Sequence, residues 1–186
     1  METHTCENFE VKKALNAVLY IASNLKRSDF HKIFKILYFA DRNHLSDYGR
    51  SITGDTYIAM DDGPVPSNLY DIFKSVRGDG FFKDNGEFSL LFKVVSWDLI
   101  KPLKEPNLDH LSKTDMHYID QALKEYGDMS WDEVREKSHD YAWRNTAKNT
   151  PISIDNLMIE TGNEESYIEY VKEQILLVKS FKYAFI

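Results

Sequence analysis

With 186 residues, 42% hydrophobic and 28% charged, the chain is long enough to bury a core and too apolar to be a disordered tail. A net charge of −7 argues against a main role on a phosphate backbone, which rests on clustered lysine and arginine, so nucleic acid is not an expected partner. One cysteine, Cys6, excludes an internal disulfide framework and a multi-cysteine metal site, and no apolar run approaches the roughly 20 residues that cross a bilayer. The opening stretch METHTCENFE lacks the basic and apolar regions of a signal peptide, so the expectation is a cytoplasmic protein without membrane contact.

Apolar residues at spacings of three and four predict a first helix over Phe9 to Leu25. Ser28 or Asp29 can cap a second helix that runs to Tyr48 and is closed by Gly49. A turn at Gly54-Asp55 leads to a strand over Thr56 to Met60. Then comes DDGPVPSNLYDIF, Asp61 to Phe73. Pro64 and Pro66 fix their own backbone angles and push Gly63 and Val65 toward extended conformations, while Ser67 is placed to cap a helix from Asn68 to Val76. The segment reads as a rigid strand-to-helix elbow.

Asn85-Gly86, between Phe81-Phe82 and the run Phe88 to Trp97, predicts a hairpin. Ser112 with Asp115 and Ser130 with Glu133 are capping boxes for helices ending near Tyr126 and His139, the first closed by Gly127. Pro151 breaks the chain. A last helix from Glu164 to Ser180 is expected to turn Ile168, Val171, Ile175 and Val178 inward. The alternation of Phe181, Tyr183 and Phe185 suits a strand. The class is α+β: one mainly helical domain over residues 1–186, with a small antiparallel sheet between an N-terminal helix pair and the C-terminal helices.

Chemistry is concentrated in the second helix. Asp41 falls near the centre of the stripe formed by Ile33, Phe34 and Leu37, and His44 near its edge. A carboxylate facing a core needs hydrogen-bond donors, here from Arg50, Thr53, His44 or the elbow. The two residues read either as a structural polar pair or as an acid–base pair or metal site. Ser138-His139-Asp140 has the residue types of a triad, but adjacency in sequence is no evidence for one, and the histidines lack zinc-site spacing. Asp61-Asp62 reads as a solvated turn or, alternatively, a divalent-cation site. From Asp155 to Glu173 there are six carboxylates and one lysine, either a solvated face or a surface for a basic partner.

The stretch Lys35 to Phe73 resembles the signature of the Panacea domain of SocA-like antitoxins and related phage-associated proteins. The resemblance is carried by Tyr38, Asp41, His44, Leu45, Gly49-Arg50, Ile52-Thr53-Gly54-Asp55, Tyr57, Gly63-Pro64-Val65-Pro66-Ser67 and Tyr70. Ser130, Trp131, Ser138, His139 and Trp143 resemble its weaker second half. The resemblance implies the antitoxin of a bacterial or prophage toxin–antitoxin system that neutralises a co-encoded protein toxin, such as a toxic small alarmone synthetase, by direct binding. It implies no enzyme activity; separately, the lone Cys6 and the scattered histidines lead to the expectation of no bound metal or organic cofactor. The alternatives are an adaptor delivering the toxin to a bacterial protease, and an enzyme using Asp41 and His44. Val65, Asn68, Phe181, Tyr183 and Phe185 are the candidate toxin contacts.

Overall fold

The computed structural model of the protein describes residues 9–184. Its architecture is α+β and mainly helical, and it is organised around one helix. That helix, α2 (Phe30–Tyr48), follows α1 (Val11–Ser23). It starts where the Asp29 carboxylate accepts from the Lys32 amide at 2.9 Å and stops at Gly49, whose φ of 67° favours glycine. From Ile33 to Asp41 every residue of α2 is buried, so a single apolar stripe understates it. Helices α1, α4 (Lys113–Tyr126), α5 (Trp131–Ser138) and α7 (Ile154–Glu160) surround it.

The elbow differs from the expected form. Gly63–Pro66 is itself a strand, β2, paired antiparallel with β1 (Tyr57–Met60) in the register Tyr57 to Pro66 and Met60 to Gly63. Asp61 and Asp62 form the turn. Gly63 is not extended in the usual sense, because its φ is 96°. The other edge of β1 is covered by residues 149–152: the Ala59 amide donates to Thr150 O and the Ile152 amide to Tyr57 O. Pro151, expected only to break the chain, thus bridges to Ile58 on this edge.

Helix α3 (Ser67–Arg77) follows β2 directly, and Ser67 is not its cap. The Asp55 carboxylate takes that role from outside the helix, accepting from the Asn68 amide (3.0 Å) and the Leu69 amide (3.0 Å). The predicted hairpin at Asn85-Gly86 does not form. Asp84 accepts from the Phe88 and Ser89 amides and curls the chain, and pairing begins only at β3 (Phe92–Val94) with β4 (Ile100–Pro102). There are therefore two separate two-stranded ladders among the described residues.

Both capping boxes are present, at Ser112 with Asp115 and at Ser130 with Glu133. Gly127 ends α4 without a left-handed angle; a Cβ there would collide with the Leu123 carbonyl. Two α-helices escaped the sequence reading, α6 (Tyr141–Arg144), capped by Asp140, and α7, capped by Ser153. The final helix, α8 (Glu165–Ala184), runs through Phe181 and Tyr183, two of the positions expected to form a strand. Ile168 and Val171 pack with Leu45 and Met158 as foreseen, and Ile175 lies half-buried beside them. Val178 is exposed instead of inward. The Phe181 and Tyr183 side chains, and Phe185 altogether, lie outside the described residues. No described helix is long and apolar enough to cross a membrane.

Candidate binding site

Asp41 and His44, one turn apart on α2, hold different parts of the chain. Asp41 Oδ1 accepts from the amides of Ile52 (2.6 Å) and Thr53 (3.0 Å), and Oδ2 accepts from Thr53 Oγ1 (2.6 Å) and Tyr57 OH (2.7 Å). Burial pushes the Asp41 carboxyl up to about 6, against the pull of these donors. Its four hydrogen bonds fasten the loop before β1 to the central helix, and Tyr57 passes that constraint into the hairpin.

His44 Nδ1 lies 2.8 Å from Arg50 O, and Nε2 lies 3.1 Å from Thr114 Oγ1 and 3.3 Å from Asp115 Oδ1. Burial lowers its pKa, so the neutral ring donates from Nδ1 to the carbonyl and accepts at Nε2 from the Thr114 hydroxyl. Asp115 does more than close its capping box. It also receives Lys13 Nζ at 2.9 Å and Arg50 Nη1 at 3.2 Å. Burial raises the Asp115 carboxyl, but the Lys13 ammonium and the Ser112 amide and hydroxyl outweigh it and hold the group below the ordinary carboxylate range.

Under the elbow lies a residue the sequence reading missed. Lys35 is almost fully buried, and its Nζ donates to Pro64 O at 2.8 Å. Burial lowers its pKa to about 7, with the nearby Arg135 adding and Asp62 opposing. A Cβ on Gly63 would strike Ser138 Oγ and sit 2.9 Å from Lys35 Cε, which, with the positive φ, makes glycine necessary there. No periodic signal marks Lys35, because it lies between Phe34 and Ile36 in a helix buried on all sides.

The elbow's exposed flank is aromatic and charged. Trp131 is 44% exposed and stacks on His31, with ring centroids 4.4 Å apart. The ring nitrogen His31 Nε2 lies 3.2 Å from Asp62 O. Arg135 Nε donates to Asp62 Oδ1 at 3.1 Å, and Lys148 Nζ meets Asp61 Oδ1 at 2.6 Å. Asp61 and Asp62 are thus each matched to a cation of the chain, and among the described residues no group of three or more acidic, His or Cys side chains is placed to hold a metal. Ser138, His139 and Asp140 diverge: the Ser138 hydroxyl donates to Arg135 O, His139 stacks on Trp143, and Asp140 accepts from Tyr38 OH and Arg42 Nη1.

Among the predicted contacts, Val65 is half-buried against the core, and Asn68 Nδ2 donates to Asp55 Oδ1 at 2.9 Å. Tyr70 also packs on the core, edge-on to Phe34. Phe181 and Tyr183 belong to the last turns of α8, in a different part of the chain from the elbow. A cleft of about 190 Å³ opens beside Met60, lined by Ala59, Asp61, Trp143, Arg144, Thr146 and Lys148; neither Asp41 nor His44 reaches it.

Residues 33–144 match the family described as antitoxin SocA-like, Panacea domain. The chain belongs to that family. The matched part of this Panacea domain runs from the first full turn of α2 to the end of α6 and contains Asp41, His44, the elbow, Lys35 and Trp131. Helices α1, α7 and α8 lie outside it. No curated protein and no solved structure matches the chain.

Proposed function

We propose that this Panacea domain neutralises a co-encoded protein toxin by direct binding, without catalysis, and that the contact surface is the flank of the elbow. The family membership carries this reading, since its name is that of an antitoxin and its match covers the elbow and its braces. The site chemistry supports it. Asp41 accepts four hydrogen bonds from the chain, and both nitrogens of His44 have partners within it, which leaves them suited to holding a surface in shape.

A surface held in shape before binding loses less entropy when it binds. Trp131, stacked on His31, and Arg135, paired with Asp62, supply residue types that dominate interface energetics. In this reading Asn68 positions Asp55, and Val65 is a direct contact.

Co-expression with the product of the adjacent gene tests the proposal. Growth should be rescued and a complex should co-purify, and Trp131→Ala should weaken both while leaving the fold intact. Trimming residues 181–186 measures any share taken by the tail. Rescue without a physical complex, in cells whose cytosolic proteases are inactivated, would reject direct binding.

A further inference from the structure

Two histidines stand where α5 meets the elbow, and each has a buried ring nitrogen without a hydrogen-bond partner among the described residues: Nδ1 of His31 on α2 and Nε2 of His139 at the end of α5. His31 Nε2 faces the Asp62 carbonyl at 3.2 Å, so the neutral ring donates from Nε2, and its lone pair on Nδ1 has no donor to meet. Both rings lie flat against indoles, His31 on Trp131 and His139 on Trp143, the latter at 3.8 Å with an interplanar angle of 8°. Unpartnered buried nitrogens are few in native folds, and two at one junction call for an explanation.

The charges around the rings supply one. Lys35 from α2 and Arg135 from α5 are near enough to both rings to oppose a positive charge there. The carboxylates that favour such a charge, Asp62 for both rings and Glu136 for His139, are 58% and 69% exposed, and Arg135 already binds each of them at 3.1 Å. Of the other charged groups nearby, Asp61 and Lys148 pair with each other, Lys32 turns to the carbonyls of Gly127 and Met129, and Glu133 is held in its capping box. A protonated ring would gain from the indole beneath it, but it would place a buried N–H without an acceptor among cations. Burial, with the two cations, pushes the His31 ring down to about 4 and lowers that of His139 as well.

We infer that the junction of α5 with the elbow is an acid-opened latch, kept shut by neutral His31 and His139 and released when they take up protons. The contacts that part are Arg135 with the Asp61–Asp62 turn and His31 with Trp131. Between the ordinary histidine value near 6.5 and about 4 the unlatched chain binds protons that the latched chain lacks, so the latch weakens as pH falls through that range and not above it. The consequence for a partner, that acid dissolves the preset shape of the flank, rests on the proposed binding surface; the latch itself does not.

Hydrogen exchange on the chain alone, corrected for the intrinsic pH dependence of exchange, tests it. On going from about pH 7 to about pH 4.5, residues 57–66 and 131–138 should lose protection at least about tenfold more than α4 does. His31→Gln/His139→Gln, which keeps a donor for the Asp62 carbonyl and cannot titrate, should retain that protection. Ring titrations of the parent chain by NMR give a reading that does not depend on the variant: both rings should take up protons below about 6.5, together with the loss of protection. Protection lost equally in α4, opening that survives in the double variant, or rings that titrate while the junction stays protected would each overturn the inference. Because no partner is present, none of these results bears on whether the flank binds a toxin.

Discussion

Asp41 shows how one buried carboxylate can organise a loop. Replacing it with alanine would leave two amides and two hydroxyls facing apolar surroundings without an acceptor. The expected loss is about 2–4 kcal/mol of unfolding free energy, measured by urea titration. A variant as stable as the parent would contradict the structural role. Lys35 gives a pH test. Its folded pKa of about 7 lies below the ordinary lysine value near 10.5, so between those limits the unfolded chain holds a proton that the folded chain lacks. Stability attributable to Lys35 therefore rises with pH above about 7, by up to about 1.4 kcal/mol per unit, and does not change below it. The difference in stability between the parent and Lys35→Met, followed from neutral to alkaline pH, should show this slope; a pH-independent difference would contradict it. Asp41 was legible in the sequence because it interrupts an apolar stripe. Lys35 was not, because a helix buried all round has no polar face against which an inward lysine stands out.

At the scale of elements, local signals were reliable where nothing distant competed with them. Gly49 and the two capping boxes involve residues within four of one another, and each forms as its sequence suggests. Ser67 has an equally good local signal, yet the Asp55 carboxylate from the loop before β1 occupies the end of α3. Asp55→Ala should therefore cost about 1–2 kcal/mol, and Ser67→Ala within about 0.5 kcal/mol of nothing, by thermal or chemical denaturation. The reverse order would restore Ser67 as the cap. Asn85-Gly86 failed as a hairpin for a similar reason, since the Asp84 carboxylate bends the chain before strands can align. At the C-terminal end, alternation over a few residues was a weaker signal than helix propagation, which adds one hydrogen bond per residue and needs no partner strand.

For the whole molecule, the buried polar contacts converge on one region. Asp41 fixes the loop entering β1, Asp55 fixes the start of α3, and Lys35 holds the carbonyl of Pro64 between them. Arg135 ties α5, with Trp131 at its start, to the turn between β1 and β2. The class and the family were legible from the sequence because the elbow motif and the α2 residues are contiguous. The flank was not, because it joins residues about seventy positions apart. The most direct test of the account is the affinity of the purified chain for the product of the adjacent gene, measured by calorimetry beside Trp131→Ala. The parent chain should form a stoichiometric complex, weakened at least about tenfold by Trp131→Ala with little change in melting temperature. No binding by the parent chain, or equal binding by the variant, would contradict it.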